Sequence, residues 1–211
     1  MKKYLVIGNP IEHSLSPKLH NYWIKENNIK AVYDKKQLNK NDIEAIISEV
    51  KNNKIDGINV TIPFKKSVIP FLDELTPLAN EAQSVNTIYK QNNKVIGHNT
   101  DIGGFELSLK YIKYNVKNKK IFILGAGGVV PSLIIALKKM EAAKIILSNR
   151  TKKKAEELKK IHPELEIINW GETTDFDMII NATSLGLNKN DEIKINYSNI
   201  GLNKLFYDVI Y

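Results

Sequence analysis

The sequence predicts an α/β protein in two parts, an N-terminal α/β half over residues 1–100 and a doubly wound, parallel-sheet half over residues 101–211. Three observations carry that prediction. Short apolar runs alternate with longer stretches of helical periodicity, the pattern that builds parallel sheets through right-handed crossovers. A glycine-rich turn, Gly125-Ala126-Gly127-Gly128, falls between an apolar run and a helix-like stretch. The composition, 43% hydrophobic and 26% charged over 211 residues, suits a chain that buries a real core.

In the first half, Tyr4 to Ile7 is a strand that stops at Gly8-Asn9-Pro10. The two preceding lysines and the apolar run imitate a signal peptide, but the run is too short for one. Ser16-Pro17 opens an amphipathic helix, with Ser16 as N-cap, Pro17 in the first helical position and Leu19, Trp23 and Ile24 as the apolar stripe. Ala31 to Lys36 is a second strand. Asn41 or Asp42 caps a helix carrying Ile43, Ile46, Ile47 and Val50 at helical spacing. Ile58 to Ile62 is a strand stopped by Pro63, and a helix follows Lys65. Val85 to Tyr89 and Lys94 to Gly97 flank Gln91-Asn92-Asn93 as a hairpin.

The boundary lies near residue 101, where a helix from Asp101 to about Ile112 begins. Lys120 to Leu124 is an apolar strand, followed by the glycine turn and a helix to about Met140. Lys144 to Leu147 is the next strand, then a helix from Thr151 to about Ile161. Glu166 to Ile168, Met178 to Ile180 and Leu205 to Ile210 complete the strands.

Composition excludes several classes of function. The chain has no cysteine, so disulfides, thiolate metal sites, iron–sulfur clusters and cysteine nucleophiles are absent, and no metal site is expected. No apolar run is long enough to span a bilayer, so no membrane partner is expected and the default compartment is the cytoplasm. The net charge is +8, carried almost wholly by lysine, with Arg150 the single arginine. Nucleic-acid binders concentrate arginine and interleave aromatics along a stripe. Neither feature is present, so no nucleic-acid partner is expected.

The chemistry sits in a few short motifs. Gly125-Ala126-Gly127-Gly128-Val129-Val130 has the strand-to-helix context of a Rossmann-type dinucleotide fingerprint. Gly125 permits the tight turn and Gly127 lets backbone approach a pyrophosphate, whose charge meets helix N-terminal amides. The third fingerprint position holds Val130 in place of glycine or alanine. At the end of the next strand, NAD-binding folds place an Asp or Glu for the ribose 2′-hydroxyl. Here Ser148-Asn149-Arg150-Thr151 offers no carboxylate, and Lys152, Lys153 and Lys154 follow. Arginine presents a planar fork for phosphate, so this position favours NADP over NAD. In the first half, Lys65 follows a strand and Asp101 starts a helix. A lysine with a carboxylate partner can supply the proton that accompanies hydride transfer to a carbonyl. By position alone, Lys65 reads equally as a solvated lysine, Asp101 as an N-cap, and Ser14 and Ser16 as turn and cap residues.

Taken together, residues 8–17 (GNPIEHSLSP), 59–65 (NVTIPFK), 85–87 (VNT), 99–101 (NTD), 125–128 (GAGG), 149–151 (NRT) and 181–184 (NATS) resemble the shikimate dehydrogenase family, in its order and spacing. The resemblance implies NADPH-dependent reduction of 3-dehydroshikimate to shikimate, on the way to chorismate and the aromatic amino acids. It implies that residues 1–100 bind substrate and carry catalysis and that residues 101–211 bind NADP. Lys65 and Asp101 would form the catalytic pair, with Lys65 the general acid. Ser14 and Ser16 would hold the substrate carboxylate. Thr61, Asn86 and Asp101, with Lys65, would bind its hydroxyls, and Tyr211 would line the pocket. Gly125, Ala126, Gly127, Gly128 and Val129 would hold the cofactor. Asn149, Arg150, Thr151 and Lys154 would take the 2′-phosphate, and Thr183 and Val209 would lie near the ribose and nicotinamide. The family continues beyond the strand ending at Tyr211, with a substrate-binding glutamine and a closing helix. The sequence therefore reads as lacking that C-terminal segment. The expected assembly is a monomer or homodimer. Two alternatives accompany this reading: a truncated, non-catalytic NADP- and shikimate-binding protein, and a quinate/shikimate dehydrogenase.

Overall fold

β1 (Lys2–Gly8) is the strand around which the first sheet is built. The computed structural model describes residues 1–187, 190–195 and 200–210. The chain divides after Asp101 into two compact units.

In the first unit, β1 leads through α1 (Ser16–Glu26) to β2 (Ala31–Gln37), which pairs with it in parallel. A 3-10 turn (Lys40–Asp42) and α2 (Ile43–Lys51) then return the chain to β3 (Gly57–Val60), parallel to β1 on its other side. β4 (Glu74–Leu75), α3 (Pro77–Ala82), β5 (Thr87–Gln91) and β6 (Lys94–His98) complete a mixed six-stranded sheet in the order β2-β1-β3-β5-β6-β4. β5 runs antiparallel to both β3 and β6. Alternate residues of β1 face opposite layers. Ile7 joins the main core with Ile43, Ile46, Ile47 and Val50 of α2, while Val6 packs with Ile11 and Tyr33 under α1.

Several sequence expectations are corrected here. Ser16 is not an N-cap; Leu15 holds that position without a side-chain cap, and Ser16 is the first helical residue. Leu19 and Trp23 are exposed, and only Ile24 of the expected stripe packs inward. Asp42 does hold the N-cap position of α2, but without a side-chain bond to that helix; its side chain closes a capping box with Asn39 across the 3-10 turn, the Asn39 amide donating to Asp42 Oδ2 at 2.7 Å. β3 ends at Val60, not Ile62, and no helix follows Lys65. The chain makes one helical turn there, closed by Val68 N–H on the Phe64 carbonyl, then a 3-10 turn at Ile69–Phe71.

In the second unit, α4 (Asp101–Tyr111) precedes β7 (Lys120–Leu124), α5 (Val130–Lys139), β8 (Lys144–Ser148), α6 (Lys152–Ile161), β9 (Glu166–Ile168), β10 (Met178–Asn181) and β11 (Leu205–Asp208). The five strands are all parallel, in the order β11-β10-β7-β8-β9. Ile121 to Leu124 are all buried, as expected for a central strand covered on both faces. Leu133 to Leu137 of α5 are buried as well. At about 25 cal/mol per Å² of apolar surface, each of the buried leucine, isoleucine and phenylalanine side chains contributes roughly 1.5–3 kcal/mol. The last strand stops at Asp208, two residues before the expected Ile210. This is the doubly wound architecture, and no helix among the described residues is long and apolar enough to cross a membrane.

Candidate active site

The polar side chains of the first unit gather where its strand order reverses. β2 lies on one side of β1 and β3 on the other, so the carboxyl ends of β1 and β3 flank the place where open α/β sheets take ligands. Gly8 ends β1 there, and Thr61 follows β3. A Cβ on Gly8 would sit 2.6 Å from Thr61 Cγ2 and 3.0 Å from the Ile62 carbonyl oxygen, so only glycine allows the approach. Thr61 N–H donates to the Ile7 carbonyl at 2.9 Å, and Asn9 N–H to that of Ile62 at 3.0 Å. In the turn after β1, Ser14 and Ser16 are half-buried, and the Ser16 amide donates to Ser14 Oγ at 3.3 Å.

Lys65 and Asp101 meet, although they are far apart in sequence. Lys65 Nζ donates to Asp101 Oδ2 at 2.6 Å, with the two side chains 12% and 21% exposed. A pair this dry is screened far less than a surface ion pair. The hairpin explains the meeting. Thr87 faces His98 across β5 and β6, so Asn86 just before β5 lies beside Thr100 and Asp101 just after β6. Asn86 Nδ2 donates to Asp101 Oδ1 at 2.8 Å, and the Thr100 amide donates to Asn86 Oδ1 at 2.9 Å. A backbone amide can only donate, so it fixes which end of the Asn86 side chain faces the carboxylate. On the other side, Val85 N–H donates to the Lys65 carbonyl at 2.8 Å. Lys65 is therefore no solvated lysine, and the Asp101 carboxylate has two side-chain partners.

Sequence reasoning assigned no role to Asn59, Thr87 or Thr100. Asn59 Nδ2 donates to Thr87 Oγ1 at 3.2 Å, and Thr87 Oγ1 donates to Asn86 Oδ1 at 3.0 Å. The available signal was an asparagine inside the apolar run Ile58 to Val60, a position that needs partners when half-buried.

The second unit places its candidate residues at one end of its sheet. Gly125, Ala126, Gly127, Gly128 and Val129 link β7 to α5, and Thr183 follows β10, the neighbouring strand across the switch point. Gly125 has φ +109°, and a Cβ there would lie 2.5 Å from the Ala182 carbonyl oxygen. Gly127 and Gly128 are exposed, and α5 begins at Val130 without a side-chain cap. The Val130 amide donates to the Gly127 carbonyl at 3.1 Å and Pro131 has no N–H, so a phosphate at this turn would meet its exposed glycine backbone. Pro131 is tolerated because it falls in the first turn. After β8, Asn149 Nδ2 donates to the Thr151 carbonyl at 2.8 Å, Arg150 is exposed, and Thr151 is the N-cap residue of α6, with Lys154 in its first turn. Asn181, missed as a site residue, ties the far side together. Its Oδ1 accepts from both the amide and the hydroxyl of Thr183, at 3.1 and 2.7 Å. Its Nδ2 donates to Asp208 at 3.1 Å, and its carbonyl accepts from the Val209 amide at 3.1 Å. Tyr211 lies outside the described residues. Among the described residues, no cluster of three or more His, Asp or Glu side chains could hold a metal ion.

Comparison with known proteins shows the family. Residues 6–88 match the model of the shikimate dehydrogenase substrate binding domain, and residues 106–191 that of shikimate / quinate 5-dehydrogenase. A shikimate dehydrogenase (NADP(+)) of Pelagibacter ubique is 65% identical over 210 residues, covering 100% of this chain and 79% of that one. The chain belongs to the shikimate dehydrogenase family. Among solved members of the family, the Aquifex aeolicus shikimate dehydrogenase superposes with a TM-score of 0.90 at 39% identity, over 100% of this chain and 79% of that one. The Thermus thermophilus enzyme, solved in complex with NADP(H) and shikimate, does so with a TM-score of 0.89 at 25% identity, over 100% of this chain and 79% of that one.

Proposed function

We propose that the protein is an NADP-linked shikimate dehydrogenase that reduces 3-dehydroshikimate to shikimate, in the pathway to the aromatic amino acids. The observation that carries the reading is the half-buried Lys65–Asp101 pair braced by Asn86. In this reading the first unit is the substrate domain. Lys65 Nζ donates a proton to the carbonyl oxygen as negative charge develops there, and Asp101 holds the ammonium group in place. Ser16, whose hydroxyl is not spent on capping α1, and Ser14, whose oxygen accepts from the Ser16 amide, hold the substrate carboxylate. Thr61 and Asn86 hold hydroxyls, each fixed by its own backbone or amide contacts. A polyol is well selected by such a set, because an unpaired buried polar group costs about 1–3 kcal/mol. Tyr211 belongs to the same assignment.

The second unit is the cofactor domain of the proposal. Its residues fit NADP: a backbone turn at Gly125 that no side chain can enter, exposed glycine backbone at Gly127 and Gly128, and Arg150 where an NAD-binding fold has a carboxylate. Gly125 to Val129 would take the pyrophosphate, Asn149 to Thr151 with Lys154 the 2′-phosphate, and Thr183 and Val209 the ribose and nicotinamide. Bound NADPH supplies the hydride. The proposal includes a cytoplasmic location, small-molecule partners without nucleic acid, and a monomer or homodimer. The dispersal of +8 net charge over lysines, with one arginine, supports the choice of partners.

The test is turnover of 3-dehydroshikimate with NADPH, followed at the nicotinamide absorbance, in wild type and Lys65→Ala. Wild type should turn over, and the variant should lose about 10²–10⁴ in kcat while still binding shikimate. A variant with near-normal kcat and weakened substrate binding would make Lys65 a clamp and not the proton donor.

A further inference from the structure

Tyr33 is a buried polar side chain of the first unit that stands outside the site residues named so far. It is 4% exposed and sits on β2, at the edge of the sheet. Asn21 of α1 holds its main chain twice: Asn21 Oδ1 accepts from the Tyr33 amide at 3.0 Å, and Asn21 Nδ2 donates to the Tyr33 carbonyl at 2.7 Å. His20, also on α1, stacks on its ring with centroids 4.2 Å apart and planes 4° from parallel. Burial lowers the His20 pKa, favouring the neutral imidazole. Ring and backbone are thus both held, and they aim the phenol oxygen. It donates to Asn59 Oδ1 at 2.7 Å.

From Asn59 the donors all point one way. Asn59 Nδ2 donates to Thr87 Oγ1 at 3.2 Å, Thr87 Oγ1 to Asn86 Oδ1 at 3.0 Å, and Asn86 Nδ2 to Asp101 Oδ1 at 2.8 Å. The direction is set at both asparagines. Asn59 Nδ2 also faces the Asn86 carbonyl at 3.3 Å, which can only accept, and Asn86 Oδ1 also faces the Thr100 amide, which can only donate. Asn59 Oδ1 is thereby turned toward Tyr33 and requires a donor there.

We propose that Tyr33 is a positioning residue for the Lys65–Asp101 pair, acting through the one-way hydrogen-bond chain Tyr33–Asn59–Thr87–Asn86–Asp101. Without the phenol hydroxyl, Asn59 loses the partner that holds its carbonyl end. Its amide end is then held against Thr87 only by the long contact to the Asn86 carbonyl at 3.3 Å, which weakens the commitment of Thr87 to donate toward Asn86. Asn86 keeps its Thr100 contact, while one of two restraints on the oxygen that orients it is weakened. The role assigned to Tyr33 rests on the catalytic reading of Lys65 and Asp101 given above. The hydrogen-bond chain itself can be observed without turnover.

The experiment compares wild type, Tyr33→Phe, Thr87→Val and the double variant. Protein labelled with ¹⁵N-asparagine gives side-chain amide signals, and the Asn86 signal is assigned by its loss in Asn86→Asp. The Asn86 signal should move in Tyr33→Phe, although Asn86 lies three hydrogen bonds along the chain from Tyr33. Tyr33→Phe should lower kcat by roughly 2- to 10-fold, the worth of one hydrogen bond, and leave KM for NADPH unchanged. In the Thr87→Val background, where the chain is already cut, Tyr33→Phe should have little further effect on kcat. An unmoved Asn86 signal, or kcat losses that multiply in the double variant, would overturn the proposal and make Tyr33 a packing residue. If wild type fails to turn over 3-dehydroshikimate, the functional reading falls. The Asn86 signal then decides alone whether Tyr33 governs that side chain.

Discussion

Arg150 illustrates how much a single residue can carry in a chain built on lysine. It is exposed after β8, and among residues 148–154 no carboxylate competes for a 2′-phosphate. A guanidinium makes two parallel charge-assisted hydrogen bonds to such a group, where a lysine makes a point contact. Arg150→Ala should therefore raise KM for NADPH by the equivalent of about 2–4 kcal/mol and leave KM for NADH nearly unchanged. Equal losses with the two cofactors would remove Arg150 from the 2′-phosphate site. Residue-level legibility in the sequence was uneven for a physical reason. Arg150 stood out by its rarity and by the missing acid. Lys65, one lysine among many, looked no different from its solvated neighbours, because its burial depends on a partner brought up by a hairpin. Asn59 and Asn181 were harder still, since their roles lie in which amide atom faces which partner, and no pattern of residue types encodes that.

At the scale of elements, the glycine turn between β7 and α5 is the tightest constraint in the second unit. Gly125→Ala would have to hold a non-glycine residue at φ +109° and also move the Ala182 carbonyl, 2.5 Å from the new Cβ. Backbone strain of that kind costs on the order of 1–3 kcal/mol. Ala182 precedes Thr183, so the displacement reaches the far side of the same site. The expected outcome is a lower melting temperature together with weaker NADPH binding, read by nicotinamide fluorescence titration. Loss of stability with unaltered NADPH affinity would separate the turn from the cofactor. Long periodic elements were legible from sequence, α2 and the strands of the parallel sheet above all, because burial imposes the period. β4 and α3 were not, being two and six residues long. The helix expected after Lys65 failed for a different reason. Its one turn gives way to a 3-10 turn that delivers Leu72 to Leu75 beside β6.

For the molecule as a whole, the ionisable groups define a window of stability. Asp73 is held below the ordinary carboxylate range by the Val95 amide, Glu164 and Asp175 chiefly by Lys138 and Lys120, and Glu172 by Asn169. The folded chain thus binds fewer protons than the unfolded one in acid. The stability these groups contribute is present above their unfolded values, near pH 4, and is lost as pH falls below that. His20, lowered by burial, starts a shallower decline from about pH 6.5 downward. In the other direction, Lys94, Lys117 and Lys120 are raised by hydrogen bonds to carboxylates, and Tyr114 by burial. Their contribution is complete below about pH 10 and is lost above it. The urea midpoint should be flat between about pH 7 and 9 and fall on both sides. A midpoint that keeps rising toward pH 5 would contradict these assignments.

The two sheets also differ in how their strands find each other, and this bears on the order of events when the chain refolds. In the first unit, Gln91 pairs with Lys94 across a turn of two asparagines. In the second, the central pair sets Ile121 against Met178, more than half the unit's length away. Closing the longer loop costs roughly 2–3 kcal/mol more chain entropy before any contact repays it. Long-range parallel pairing of this kind is the slow part of folding. In pulse-labelled hydrogen exchange during refolding, the amides of β5 and β6 should gain protection before those of β7 and β10. Until β10 arrives, Thr183 has not reached the glycine turn. The cofactor half-site would then be among the last features of the molecule to form, and added NADPH would accelerate none of the early steps.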